Sequence, residues 1–348
     1  MTPTGNSPKI LVTGGAGFIG SHTVVSLVEA GFEPVIIDDF YNSERSVLDG
    51  LKAILNRDIT CYPVDCNDAA AMADIFQKES PAGIIHFAAY KAVGESVAEP
   101  LKYYRNNLDS LLLLLEMMPK YGVQNLVFSS SCTVYGQPEQ LPVTEETPRL
   151  PAQSPYGNTK AIGEDIIRDA VRAKLPVKAL ALRYFNPIGA HPSAEIGELP
   201  LGVPANLVPF ITQTAAGIRS SLTVYGNDYD TPDGTCIRDY IDVMDLADAH
   251  VAALRKLINE SATSLYDVIN IGTGRGETVL NVIKTFEQVT GVDVNYQIGP
   301  RRAGDVEQVY ADVSKANQVL GWTARRSLAE SLRDAWKWQQ KISQRERK

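Results

Sequence analysis

Along the first half of the chain, short apolar runs alternate with stretches whose apolar residues recur at helical spacing. Runs at 10–12, 34–37, 60–64, 83–88, 125–129 and 178–182 read as strands. Helices are expected through about residue 30 and over 69–78, 100–118 and 157–173. Repeated strand–helix units predict an α/β fold with a doubly wound parallel Rossmann sheet, in which ligands collect at the carboxyl ends of the strands. From Tyr184 the pattern breaks. Prolines and glycines from Pro187 to Pro209 crowd an irregular stretch suited to substrate loops. Strand–helix character returns at 239–243 and 245–256, followed by a turn at 272–276, a helix near 278–290 and a last one over about 327–342, with Leu328, Leu332, Trp336 and Gln339 on one side. This predicts a Rossmann domain over 1–185, with 236–260 returning to it, and a smaller interleaved C-terminal lobe from 186–235 and 261–348.

The first run passes straight into TGGAGFIG (13–20). Gly14, Gly17 and Gly20 stand at GxxGxxG spacing, between a strand and a helix. Such glycines make the tight turn, admit a pyrophosphate to the backbone and let the helix pack closely. The second run ends in Asp38, 18 residues past Gly20, where a carboxylate accepts from the adenosine ribose hydroxyls. Asp39 beside it would repel a 2′-phosphate, which favours NAD over NADP.

SPYGNTK (154–160) puts a phenol and an ammonium four residues apart at a helix start, so Tyr156 and Lys160 share one face. A cation ~5 Å away at an effective dielectric of ~20 favours the phenolate by roughly 3 kcal/mol, about 2 pKa units, bringing Tyr156 toward use as a base near neutral pH. A packed tyrosine beside a solvated lysine is the plain alternative.

Composition narrows the class. The 348 residues, 44% hydrophobic and 21% charged, suit a globular protein with a cofactor domain and a substrate lobe. A net charge of -8 argues against a nucleic-acid surface. Cys61, Cys66, Cys132 and Cys236 form no C-x-x-C pair and the four histidines are scattered, so neither a metal site nor a disulfide framework is expected. No apolar leader or membrane-length run is present, and reduced thiols point to a cytoplasmic protein.

With HFAAYKAVGESV (86–97), FSSSCTVYG (128–136), LRYFNPIGAHPS (182–193), GNDYDTPDGTCIRDYI (226–241) and RRAGD (301–305), these motifs resemble the extended short-chain dehydrogenase/reductase family, most closely its UDP-glucose 4-epimerases, from residue 11 to about 338. The resemblance implies interconversion of UDP-galactose and UDP-glucose by inversion at carbon 4, through a transient 4-ketose, with NAD tightly bound. It implies that Ser131, Tyr156 and Lys160 are catalytic. NAD contacts would fall on the glycine loop with Phe18 and Ile19, on Asp38, Asn42, Ser43, Asp65, Cys66, Phe87, Ala88, Lys91 and Asn106, and on Tyr156, Lys160 and Phe185. UDP-sugar contacts would fall on Lys91, Ser131, Tyr156, Tyr184, Asn186, Asn206, Leu207, Tyr225, Arg238, Arg302 and Asp305. Val309, four positions past Asp305, would line the pocket near sugar carbon 2; a valine there, where relatives restricted to plain hexoses resemble one another in carrying tyrosine, implies that UDP-N-acetylglucosamine and UDP-N-acetylgalactosamine are also accepted. A homodimer is implied through the helices at 100–118 and 157–173, with 111–115, Met117 and Met118 as candidate interface residues or, alternatively, core.

The departures from the family pattern are Ala89 for a glycine, Cys132 for an alanine and Asp242 for a histidine. Four other readings compete. A 4,6-dehydratase or a UDP-glucuronate decarboxylase would need a carboxylate after the strand-five serine, where the chain has Cys132-Thr133-Val134. A UDP-pentose 4-epimerase would share the chemistry. A dinucleotide-sensing module would have no use for an intact Ser131, Tyr156 and Lys160.

Overall fold

The computed structural model describes residues 7–302 and 305–345; Ala303 and Gly304 of the RRAGD block lie outside the described residues. The chain divides into two compact units. One holds the residues up to Val134, with Pro151–Arg183 and Ala247–Ile269; the other holds Tyr135–Leu150, Tyr184–Leu246 and the residues from Asn270 on. The boundaries differ from those expected at 185, 236 and 260: 135–150 falls in the second unit, and the segment returning to the first is 247–269.

In chain order the first unit runs β1 (Lys9–Thr13), α1 (Phe18–Glu29), β2 (Glu33–Ile37), α2 (Ser46–Leu55), β3 (Thr60–Tyr62), α3 (Ala69–Glu79), β4 (Gly83–His86), α4 (Val93–Ala98), α5 (Pro100–Lys120), β5 (Asn125–Ser129), α6 (Pro155–Arg172) and β6 (Lys178–Tyr184). After β7 (Asn186–Ile188), α7 (Leu207–Ala215), β8 (Leu222–Tyr225), β9 (Ile237–Arg238), β10 (Tyr240–Asp242) and α8 (Val243–Asn259), the chain contributes β11 (Leu265–Ile271). It ends with β12 (Glu277–Thr278), α9 (Val279–Thr290), β13 (Tyr296–Gly299), β14 (Gln308–Val309), α10 (Ser314–Leu320) and α11 (Leu328–Arg345).

The main sheet has seven strands in the order β11-β6-β5-β4-β1-β2-β3. Each pairing from β3 to β6 is parallel. Ile10, Leu11 and Val12 are fully buried, as are Ile84, Ile85, Leu126 and Val127, because a parallel sheet is covered on both faces and its strands are apolar throughout. Two strands are shorter than the sequence suggests, for local reasons. β3 stops before Pro63, which has no N–H to give the ladder. β4 stops at His86 because the N–H groups of Phe87 and Ala88 both turn to Thr13 O, at 3.0 and 3.1 Å. The 239–243 run yields β10, which pairs with β7 outside the main sheet, and the seventh main strand is β11, whose LYDVINI hides among polar residues. The 184–235 stretch, expected to be irregular, also forms β7, α7 and β8.

Helix ends follow their caps. Asp68 accepts from Ala70 and Ala71 N, both at 3.1 Å, to start α3, and Ser154 Oγ accepts from Gly157 N at 3.2 Å to start α6, with Pro155 in the first turn. On α5, Leu111, Leu114, Leu115, Met117 and Met118 belong to the unit's own core, whereas Leu112 and Leu101 face outward. Among the described residues no helix is long and apolar enough to cross a membrane.

Inside this unit lies a buried ion pair. Arg183 on β6 grips Glu164 on α6 with two bonds, Nε to Oε1 at 2.8 Å and Nη2 to Oε2 at 2.6 Å, and Ser130 Oγ donates to the same Oε1 at 2.6 Å. Both side chains are almost fully withdrawn from water. Removing one partner strands a charge in a low dielectric. Arg183→Met is therefore expected to destabilise the fold by about 3–5 kcal/mol, and pairing it with Glu164→Leu to recover part of the loss. Urea unfolding of the two variants checks this; a single variant no weaker than the double contradicts it.

Candidate active site

The glycine loop is shaped by what cannot be there. Gly14 sits at φ 69 and its N–H donates to Ile37 O at 2.8 Å, while a Cβ on it would lie 2.8 Å from Ala88 N. A Cβ on Gly20 would lie 2.2 Å from Gly14 O. The backbone is thus bare where β1 turns into α1. Gly17 caps α1 without a side-chain bond, and Phe18 and Ile19 form its first turn, so the first amides of the helix are offered to an anion. Asp38 closes the loop from β2: Oδ2 accepts from Ala16 N at 2.9 Å, and Oδ1 from Phe40 N at 2.9 Å and Ser43 Oγ at 2.8 Å. Burial raises its pKa and these three bonds oppose the rise. Bare backbone, an open helix N-terminus and a carboxylate at the end of β2 fit a dinucleotide.

The remaining cofactor candidates of this unit lie at the same strand ends. Asp65 accepts twice from Asn67, and Asn67 Nδ2 donates to Asn106 Oδ1 at 3.3 Å, which joins the turn after β3 to α5. Cys66 is buried, and desolvation raises its pKa so that it stays a thiol. Phe87 and Ala88 follow β4, where the Phe87 ring meets His250 at 4.6 Å. Asn42 and Lys91 are exposed.

Ser131 follows β5 and is buried, its Oγ accepting from Thr133 N at 3.2 Å. Half-buried Tyr156 is the second residue of α6, and Lys160 lies one turn on. Lys160 donates from Nζ to Ser129 O at 2.7 Å and stands 5.2 Å from the Phe128 ring centre and 5.9 Å from that of Tyr156. The helix thus puts the ammonium beside the phenol, as the four-residue spacing requires, and the bond to Ser129 O ties it to the strand that leads into Ser131. Desolvation brings the Lys160 pKa down to about 8. Nearby His86, stacked on Phe128 at 6.1 Å and bonded to Thr13 Oγ1 at 2.7 Å, is pushed down to about 3 by burial and by the Lys160 charge, so it stays neutral.

In the second unit, Arg238 and Arg302 converge on Asp305. Arg302 donates to both carboxylate oxygens, at 3.1 and 2.7 Å, and Arg238 Nη2 reaches Oδ1 at 3.5 Å. Arg302 also lies over the Tyr225 ring at 5.7 Å. Val309 is buried on β14, in register with Arg238. Phe185 and Asn186 hang by their N–H groups on Ile271 O and Asp239 O, and the Asn186 Oδ1 is buried with no partner among the described residues. Tyr184 is buried beside them. Asn206 precedes α7, where Leu207 begins, and binds Glu198 Oε1 at 2.6 Å. Two devices escape a motif search. One is the Ser130–Glu164–Arg183 network, signalled only by an arginine inside the apolar strand KALALRY. The other is Asp239, fully buried and accepting from Thr273 N and Oγ1, Gly274 N and Ala311 N. Asp242, which stands where the family pattern has a histidine, binds Arg326 at 3.0 Å, Ser331 Oγ at 2.6 Å and Met244 N at 2.8 Å.

A family model described as GDP-mannose 4,6 dehydratase matches residues 11–335. The UDP-glucose 4-epimerase of Bacillus subtilis is 50% identical over 330 residues, 95% of this chain and 96% of that protein. A UDP-glucose 4-epimerase structure from Stenotrophomonas maltophila, with bound NAD and formylated UDP-arabinopyranose, is 44% identical with a TM-score of 0.94, covering 97% of this chain and 99% of that one. The UDP-Glc/GlcNAc 4-epimerase of Campylobacter jejuni, 36% identical with a TM-score of 0.82, covers 96% and 100%.

The depressed pKa of Lys160 has a pH consequence. The unfolded chain holds this proton up to its ordinary value of 10.5, the folded chain only to about 8. Between these limits the unfolded state binds more protons, so stability rises with pH, by at most ~1.4 kcal/mol for each pH step of one; below the window the burial of the charge weighs in full against the fold. Methionine at 160 carries no charge at any pH. In cofactor-free protein, the unfolding free energy of Lys160→Met minus that of the wild type is expected to be largest at pH 7 and to shrink steadily toward pH 10; a constant difference would contradict the burial of a titrating amine.

Proposed function

The chain belongs to the family described by the GDP-mannose 4,6 dehydratase model and, within it, to the UDP-glucose 4-epimerases, and we propose that it interconverts UDP-galactose and UDP-glucose with tightly bound NAD. The observation that carries the reading is the Tyr156–Lys160 turn, with its buried ammonium, opening α6 beside the end of β5 that bears Ser131. Bound NAD supplies hydride acceptance from sugar carbon 4 and its return. Tyr156 takes the proton from the 4-hydroxyl, Ser131 hydrogen-bonds the same oxygen, and Lys160 favours the phenolate by its charge and binds the nicotinamide ribose. Inversion requires the 4-ketose to turn over while its diphosphate stays fixed. Arg238 and Arg302 suit that anchor, since guanidinium forks match phosphate oxygens, and Asp305 already holds both in place. The segment Cys132-Thr133-Val134 supplies no carboxylate for a dehydratase's elimination.

The reading includes the cytoplasm, since all four cysteines are free thiols, and a homodimer. For the dimer, the outward side of α5 and α6, with Leu101, Leu108, Leu112 and Ile166, replaces the expected 111–115 face, most of which is core. UDP-pentoses are a second substrate class, favoured by the arabinopyranose derivative carried by the Stenotrophomonas relative. Proton NMR of the protein with UDP-galactose is expected to show UDP-glucose appearing with no net redox change; accumulation of NADH would indicate a dehydrogenase instead. In the same assay Tyr156→Phe should be slower by ~10²–10⁴-fold with UDP binding retained. Near-normal turnover would remove Tyr156 from the role of base.

Substrate range turns on Val309. The N-acetyl activity in the name of the Campylobacter relative supports acceptance of UDP-N-acetylglucosamine and UDP-N-acetylgalactosamine here. Val309→Tyr would press a ring against the acetamido group at roughly 1–3 kcal/mol. The kcat/KM ratio for UDP-N-acetylglucosamine over UDP-glucose is expected to fall ~10–100-fold in that variant. An unchanged ratio, or a wild type that rejects the N-acetyl sugar, removes the gate.

A further inference from the structure

β4 and β2 flank β1, whose carboxyl end runs into the glycine loop. A dinucleotide seated on that loop, with its ribose at Asp38, lies between the segments that follow the two flanking strands. Those segments touch each other. Tyr41, three residues past Asp38, meets Tyr90, three residues past Phe87, with ring centres 4.8 Å apart. Lys102 of α5 pins the pair: its Nζ lies 5.3 Å from the Tyr41 ring and 5.1 Å from the Tyr90 ring, and donates to Tyr41 Oη at 2.9 Å and Glu95 Oε1 at 2.6 Å. The bonds to Glu95 and Tyr41 raise the Lys102 pKa and keep it charged.

The two jaws differ in how they are held. Tyr90 is fixed: Asn107 accepts from its N–H at 2.8 Å and donates to its carbonyl at 3.0 Å, and its ring meets Tyr103 at 5.7 Å. Tyr103 in turn donates to Glu95 Oε2 at 2.6 Å and accepts from Ala92 N at 3.1 Å. Tyr41 is the opposite case, 52% exposed and held at its backbone by Asp39 Oδ1. Just before it stands Phe40 at φ 60, a non-glycine residue in the left-handed region. Such a conformation persists only where its surroundings enforce it.

We propose that Tyr41, Tyr90 and Lys102 form a clasp over the dinucleotide site that retains the cofactor between turnovers and must open for it to exchange. The clasp rests on the reading of that site as one for NAD. It gives retention a local cause, which a redox cycle that returns its hydride to the same sugar requires. None of the three residues is among those assigned to proton transfer or sugar binding.

The test is the exchange rate of bound NAD, followed in the holoenzyme by displacement with labelled NAD. Lys102→Met and Tyr41→Ala are each expected to speed exchange roughly tenfold, the scale of losing a cation–π contact with its hydrogen bond. Tyr41→Phe, which loses one oxygen, should show a smaller increase. The double variant Lys102→Met with Tyr41→Ala should exchange no faster than the quicker single variant, because the two residues act through one contact. Turnover at saturating NAD should be unchanged throughout. Wild-type exchange rates in both single variants, or effects that multiply in the double, overturn the clasp while leaving the cofactor reading intact. A wild-type protein that takes up no dinucleotide overturns both.

Discussion

The pairing of Glu164 with Arg183 is the constraint on which the candidate active site depends. Tyr156, Lys160 and Glu164 stand at four-residue steps on α6, so they share one face of the helix. Arg183 fixes Glu164 from β6, and Ser130, the neighbour of Ser131, fixes it from the end of β5. A helix gripped at its third turn cannot rotate or slide without breaking three buried bonds. Lys160 adds a second grip through Ser129 O. The phenol, the ammonium and the serine thus inherit their relative placement from charges that have no part in the proposed chemistry. In a low dielectric such bonds are costly to leave unmade, which makes them good fixtures even where they add little net stability.

The same logic runs through the polar groups elsewhere. Asp38 binds the glycine loop and the turn after β2 into one piece before any ligand arrives. Asp305 holds two arginines that would otherwise repel. In each case a carboxylate commits lone pairs to the protein, so that the groups proposed to meet a ligand are already oriented, and binding need not order them.

Much of this was legible in the chain. The Rossmann half announced itself through apolar runs, the glycine spacing and an acid after the second strand, because each reports a local requirement: a buried strand, a bare backbone, a carboxylate that ties the loop to the turn after β2. Tyr156 and Lys160 were legible for the same reason, four residues being one helical turn. The misses were non-local. β11 pairs with β6 from far along the chain, and its Asp267 and Asn270 disguise it as a loop. The limits of β3 and β4 follow from a proline and from two amides turning to Thr13, the first readable and the second not. Glu164 and Arg183 lie 19 residues apart, and nothing in either segment names its partner. Phe40's left-handed backbone has no signature in a phenylalanine.

Asp239 bears on the order in which the molecule can be made. Its carboxylate collects amides from Thr273, Gly274 and Ala311, and the bridge between Val143 and Ala311 draws in a segment synthesised far earlier. Until Ala311 has left the ribosome, that buried acid has unfilled lone pairs and the second unit has no complete core. The strands from β1 to β6 meet no such delay, since each finds its neighbour soon after it emerges. Long-range closures of this kind cost chain entropy before contacts reward them, which makes them slow. A nascent chain therefore carries a nearly finished cofactor sheet while its second unit waits open for its last pieces.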